Sequence, residues 1–108
     1  MISALSAAAS GMHDAMVRVD VAAHNIANVN TAGFSPLQVT SVVLPEGGVA
    51  PVVTAGVPGL GGSLPPGGSG TDLAGEMIGL ILARVAFMAS ARAFETDAQM
   101  PHALDVIR

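Results

Sequence analysis

Between Ile2 and Ile26 the apolar positions Ile2, Leu5, Ala9, Met12, Met16, Val19, Ala23 and Ile26 recur in alternating steps of three and four. That repeat predicts one helix of roughly 25 residues with a heptad seam. Ser3, Ser6, Ser10, His13, Asp14, Arg18, Asp20 and His24 occupy the other faces, where Val17 and Val21 are the only large apolar residues. A sustained 3.5-residue period favours bundle or coiled-coil packing over a helix resting on a globular core. Gly11 interrupts the helix at a cost of about 1 kcal/mol, so it marks a close backbone approach or a weak hinge.

A second helix opens at Asp72, a good N-cap, with Glu76 adding favourable charge to the first turn. Leu73, Met77, Leu80, Arg84, Phe87, Ala91, Phe94 and Ala98 again step by threes and fours, flanked by Ile78, Ile81, Val85 and Met88. This apolar face is wider than the first and can meet two neighbours at once. Pro101 lacks an amide donor and clashes with the preceding turn, which predicts an end or kink near Met100 and a short helical tail.

The middle of the chain changes period. Residues 37–54 turn to β-branched side chains around Pro45-Glu46-Gly47-Gly48, predicting two strands, about Val39 to Leu44 and Val49 to Thr54, paired as a hairpin. A lone hairpin is marginal in water and needs a surface to lean on. Residues 55–71 are rich in Gly and Pro and show no period, which predicts a linker or mobile loop. No GxGxxG or GxxxxGK[ST] fits it, and the chain has no lysine, so phosphate binding is not expected.

The predicted fold class is therefore mainly α. Long N- and C-terminal helices pair as a coiled coil or helical bundle, with a small β-hairpin and a Gly/Pro-rich loop between them. The organisation is an assembly helix over 1–30, a turn, hairpin and linker over 31–71, and a second assembly helix over 72–108 with a break near Pro101.

Composition narrows the function. With 3 Phe and no Trp or Tyr in 108 residues, the apolar content lies mostly in alanine and aliphatics, suited to thin seams between helices. The first helix alone buries too little to offset its own ordering and depends on packing, and one partner helix on the same chain is not expected to suffice, so ordering on assembly with further subunits is expected. The net charge of −4 comes without any basic cluster, which argues against nucleic acid and anionic membrane as partners. No cysteine is present, so disulfides, thiolate chemistry and Cys-based metal sites are excluded. The N-terminus has no basic n-region, and Asp14 falls where a signal peptide needs its apolar run or cleavage site, so no Sec-type cleaved signal is expected. Glu76 and Arg84 lie inside the apolar stretch Leu73 to Ala91, which argues against membrane insertion.

Candidate chemistry is sparse. His13 and His24 lie nearly on one helix face but about 16 Å apart along the axis, too far to share a metal. Asp14 with Arg18 reads as a surface ion pair, and Asp72 with Glu76 as helix-start charge. The methionines fall mostly on the seams, where they fill gaps. No catalytic, cofactor-binding or metal-binding residue is expected, and the chain does not read as an enzyme.

One concentrated feature remains. In HNIANVNTAGF, residues 24–34, Asn25 and Asn28 share a face in the last helical turn, while Asn30 and Thr31 lie beyond it. Gly33 permits a positive φ and Phe34 can fold back onto apolar surface. The stretch predicts a corner where the helix stops and the β-rich part begins, with amides available to neighbouring subunits.

The segment SGMHDAMVRVDVAAHNIANVNTAGF resembles the N-terminal region of bacterial flagellar rod, hook and hook-associated proteins, whose pattern runs SGM, then D-V-x-x-N-N-(I/L)-A-N-x-N-T-x-G-(F/Y). Ser10, Gly11, Met12, Asp20, Val21, Asn25, Ile26, Ala27, Asn28, Asn30, Thr31, Gly33 and Phe34 match, and His24 replaces the first of two usual asparagines. TDLAGEMIGLILARVAFMASARAF is similar to that family's C-terminal helix through Asp72, Leu73, Glu76, Met77, Ile81, Ala83, Ala86, Phe87 and Ala89. The short middle points to the small proximal-rod members.

The resemblance implies a structural subunit of the basal-body rod, with terminal helices paired as an inner domain that stacks with copies of itself and with other axial proteins. It also implies passage through the flagellar type III export apparatus without a cleaved signal, and a place in the periplasm-spanning shaft that serves motility. The expected assembly motif is Asn25, Asn28, Asn30, Thr31, Gly33 and Phe34. The expected seams are Leu5, Met12, Met16, Val19 and Ile26 with Leu73, Met77, Leu80, Phe87 and Phe94. Two alternatives stay open: a divergent accessory rod-like protein, or a small secreted two-helix protein of another system, ESX-like. Against the latter stand the missing W-x-G turn and the long linker.

Overall fold

Four elements carry the computed structural model, which describes residues 2–56 and 68–107: α1 (Ile2–Ala27), β1 (Leu37–Val43), β2 (Val49–Ala55) and α2 (Leu73–Ile107). The chain is mainly helical with one two-stranded antiparallel sheet. Residues 57–67 of the expected linker lie outside the described residues.

Gly11 meets Ser90 and Asn25 meets Glu76, so α1 and α2 run antiparallel. The hairpin packs on α1, and α2 also packs on α1, while among the described residues the hairpin and α2 share a groove without direct element-to-element packing. The result is thin. Its extents are 69 × 25 × 15 Å with a radius of gyration of 18.2 Å, whereas a compact domain of about 100 residues has about 13 Å.

The hairpin register runs from Leu37 opposite Ala55 to Val43 opposite Val49. Its turn is closed by the Gly47 N–H to the Leu44 carbonyl at 3.0 Å and by the Leu44 N–H to the Gly48 carbonyl at 3.0 Å. Pro45 fixes φ at the turn's start, and Gly47, at φ 97°, takes the left-handed position that a bulged three-residue loop requires. At the open end the Gly56 N–H reaches the Pro36 carbonyl at 3.0 Å. The antiparallel alternation then leaves Ser41 and Pro51 as a pair without mutual hydrogen bonds, so the donor that Pro51 lacks would have pointed away from β1. By the same alternation the Leu37 N–H and C=O point away from β2.

Among the described residues the buried apolar side chains are Ala15, Val21, Ala22 and Ala83, and the buried polar ones are Asp14 and Asn25. This set corrects the sequence reading of where the two helices meet. Gly11 lies against Ser90 and Asn25 against Glu76, and the buried Ala15 and Ala22 on α1 and Ala83 on α2 fall between these two contacts. Each lies one residue before a member of the three-four repeat: Met12, Met16, Ala23 and Ile26 on α1, and Met77, Arg84 and Ala91 on α2. One residue is a rotation of about 100° around a helix. Small residues allow closer backbones than Met or Phe; a Cβ added at Gly11 would sit 2.7 Å from the Ser90 Oγ. The pair is an antiparallel contact along a small and polar seam.

A second correction concerns Pro101. α2 continues through it to Ile107, so the proline does not end the helix. One missing ladder bond is tolerated within a helix already extended for seven turns on its N-terminal side.

Candidate functional site

α1 carries a polar line that the apolar repeat conceals: Ser10, Asp14, Arg18 and Asn25 fall along the side that the hairpin covers. Each anchors it. The Val49 N–H donates to the Ser10 Oγ at 3.0 Å, and the Ser10 hydroxyl donates to the Ala7 carbonyl at 2.7 Å. Gly48, at φ 90°, lies so close to Ser10 that an added Cβ would be 2.5 Å from its Oγ, so only glycine fits there. Further along, the Ser41 hydroxyl donates to Asp14 at 2.8 Å, and Arg18 donates through Nε to Asp14 at 3.0 Å and through Nη2 to Ser41. The Asp14–Arg18 pair, expected on open surface, instead seats β1, and the Asp14 side chain is 12% exposed.

Asn25 completes the line and is 0% exposed. Its amide engages the outward edge of β1 at Leu37: Nδ2 donates to the Leu37 carbonyl at 2.9 Å, and Oδ1 accepts from the Leu37 N–H at 2.8 Å. The side chain thereby stands in for a third strand at one residue. Nδ2 also donates to Glu76 Oε1 at 2.8 Å, which ties in the first turn of α2. The Asn25 main-chain carbonyl accepts from the Thr71 hydroxyl at 2.9 Å. Both faces of the amide are therefore satisfied. Each such bond contributes about 1 kcal/mol, while an orphaned buried partner costs about 1–3 kcal/mol, so this residue has large leverage for its size. At the α2 start the Gly75 N–H donates to Asp72 Oδ1 at 3.2 Å, the N-cap that the sequence predicts. Glu76, read there as helix-start charge, also serves this cross-chain junction.

The remaining members of the Asn-rich stretch divide into local and open roles. Asn28 donates to the His24 carbonyl at 2.9 Å and accepts from the Thr31 hydroxyl at 3.1 Å, closing the end of α1. Asn30 and Thr31 are exposed. Gly33 has φ 73°, and the Phe34 ring packs on His24 with centroids 5.5 Å apart. The returning chain is stitched to this corner by the Gly33 N–H to the Gly68 carbonyl at 3.0 Å and the Gly70 N–H to the Phe34 carbonyl at 2.8 Å.

The large apolar stripes behave differently. Leu5, Met12, Ile26 and Leu80 are half-buried. Met16, Val19, Leu73, Met77, Phe87 and Phe94 are exposed, and so are Ile78, Ile81, Leu82, Val85 and Met88. Met16 and Val19 of α1 line a shallow groove of about 340 Å³ with Phe87 of α2, so the two stripes share one open face. Asp20 and Arg84 border that groove. An apolar band of this length on a single chain marks an interaction surface. Within α2 the stretch Leu73–Gln99 is long and apolar enough to cross a membrane by length and composition, and 6% of its most apolar window is buried. Among the described residues no group of His, Asp or Glu is placed to hold a metal ion.

Sequence reasoning passed over Ser10, Ser41, Thr71 and the second role of Glu76. The spacing of Ser10, Asp14, Arg18 and Asn25 did carry a signal, since steps of four, four and seven keep one helix face. Nothing local marks Leu37 or Glu76 as partners, because they lie 12 and 51 residues from Asn25.

A search of the curated proteins finds no match to the chain. Residues 3–34, which comprise nearly all of α1 together with the corner through Phe34, match the family model described as flagella basal body rod protein, and this match supports that family.

Proposed function

We propose that the chain is a structural, non-enzymatic subunit of the bacterial flagellar basal-body rod, most like the proximal rod protein FlgC. The observation that carries the reading is the family match across α1 and its corner. The exposed stripes supply the means: Met16 and Val19 beside Phe87, continued by Met77, Ile81 and Phe94, form apolar surface that stacking against neighbouring subunits would bury. In this reading residues 1–30 and 72–108 are the assembly helices and 31–71 the outer part. Asn30 and Thr31, exposed at the corner, face neighbours, whereas Asn25 and Asn28 hold the corner itself.

The partners are further copies, other axial proteins of the rod and, before assembly, the flagellar type III export apparatus, entered without a cleaved signal. Deletion of the gene is expected to abolish swimming and leave basal bodies without a completed rod; a normally swimming deletion strain contradicts the reading.

The apolar length of α2 favours one competing partner, a lipid bilayer. Flotation with phosphatidylcholine vesicles separates the two: a rod subunit stays in the protein fraction, and a bilayer-seeking helix floats.

A further inference from the structure

The sequence carries two seams along which α1 and α2 can be paired. The observed one joins Gly11, Ala15, Ala22 and Asn25 to Glu76, Ala83 and Ser90. The other, reached by turning each helix one residue with a slide of about 3 Å, would join Met12, Met16, Ala23 and Ile26 to Met77, Arg84 and Ala91. That seam would bring the longer side chains Met12, Met16, Ile26 and Met77 into the contact together with Arg84, and would withdraw them from the open face. Ala15, Ala22 and Ala83 offer little shape to resist it, since small side chains pack against one another in many registers.

We infer that the Asn25–Glu76 junction is a register selector, holding the helices in the pairing that keeps their large apolar stripes outward. Asn25 is fully buried, and both ends of its amide are committed: to Leu37 on both sides and to the Glu76 carboxylate. Turning α1 by one residue would carry the amide away from Leu37 and leave the N–H and C=O of Leu37 without these partners. The same turn would move Asp14 from Ser41 and Ser10 from Val49, so the hairpin adds to the resistance. A buried polar group that fixes register is the best attested specific use of such groups, and here the buried member is Asn25, with Glu76 half-buried. The inference concerns the isolated chain and stands whether or not it assembles into a rod.

The chain has no cysteine, so introduced pairs report register directly. A Cβ built at Gly11 lies 3.4 Å from the Ser90 Cβ, close to the about 3.5–4.5 Å that a disulfide spans. Gly11→Cys/Ser90→Cys is expected to oxidise rapidly and Met12→Cys/Ala91→Cys slowly. Adding Asn25→Leu/Glu76→Leu is expected to slow the first pair by about tenfold or more, the shift set by loss of one charge-assisted hydrogen bond, and to speed the second. Glu76→Gln, which keeps an acceptor for Asn25, should preserve the original preference. Two results overturn the inference: an unchanged preference for the first pair after Asn25→Leu/Glu76→Leu, or loss of both crosslinks together with helicity, which makes the junction a requirement for folding and not a selector.

Discussion

α1 and α2 carry the same three-four repeat of apolar residues, and α2 has the broader stripe, yet α1 is the covered helix. It supplies Asp14, Ala15, Val21, Ala22 and Asn25 to the buried set, whereas α2 supplies Ala83 among the described residues. The difference lies in neighbours. Among the described residues α1 has the hairpin on one side and α2 on another, while α2 packs on α1. A hydrophobic pattern records everything a helix can bury across all its partners, and the more apolar helix here is the one that this chain leaves more open. Its side chains make the point: Ile81 is 64% exposed and Leu82 63%, values that suit a surface waiting for contact more than a folded interior.

Substitutions sharpen this contrast in a graded way. The largest effect is expected at Asn25, where Asn25→Ala orphans the Leu37 backbone groups and the Glu76 carboxylate. A loss of about 3 kcal/mol is expected by urea denaturation, and a loss under about 1 kcal/mol shows the junction to be dispensable. Next comes Gly11→Leu, which forces a branched side chain into the contact with Ser90. It should cost about 2 kcal/mol, seen as a lower denaturation midpoint, while a neutral result means the helices separate freely there.

Ser41→Ala removes the hydroxyl that seats β1 on Asp14 and Arg18 and is expected to cost about 1 kcal/mol. Hydrogen exchange should speed up first in β1 and not in α2, because only α1 carries the hairpin. On the sparsely covered helix the sign reverses: a Cβ at Gly79 meets nothing within 4 Å. Gly79→Ala should therefore raise stability by about 1 kcal/mol through helix propensity alone. The smallest effect on the isolated chain is expected from Ile81→Ser, within about 0.5 kcal/mol, although the same change should weaken association between subunits.

Much of this architecture is legible in the sequence. Apolar period delimits α1 and the body of α2, the Pro-Glu-Gly-Gly turn and its β-branched flanks delimit the hairpin, and Asp72 announces the start of α2. Gly33 takes the positive φ read for it, whereas Phe34, expected on apolar surface, packs on the His24 ring. What is not legible is which helical face meets which. Large side chains dominate any periodicity reading, but the chain pairs its helices through Gly11, Ala15, Ala22, Ala83 and Ser90, whose small size is visible only as an absence of bulk. Asn25 reads as a helix-end amide because its partners, Leu37 and Glu76, are distant in sequence and carry no local mark. Pro101 reads as a stop because a local steric rule takes no account of the long helix preceding it.

The most direct measurement compares the free chain with the assembled rod through one residue of α2. A thiol introduced by Ile81→Cys, in a chain otherwise without cysteine, is expected to react with maleimide rapidly in the purified protein. In isolated basal bodies it is expected to be protected by about tenfold or more, since burial at a packed interface excludes both water and reagent. Equal reactivity in the two states, or no such chain in basal bodies that are complete, contradicts the claim that neighbouring subunits cover α2.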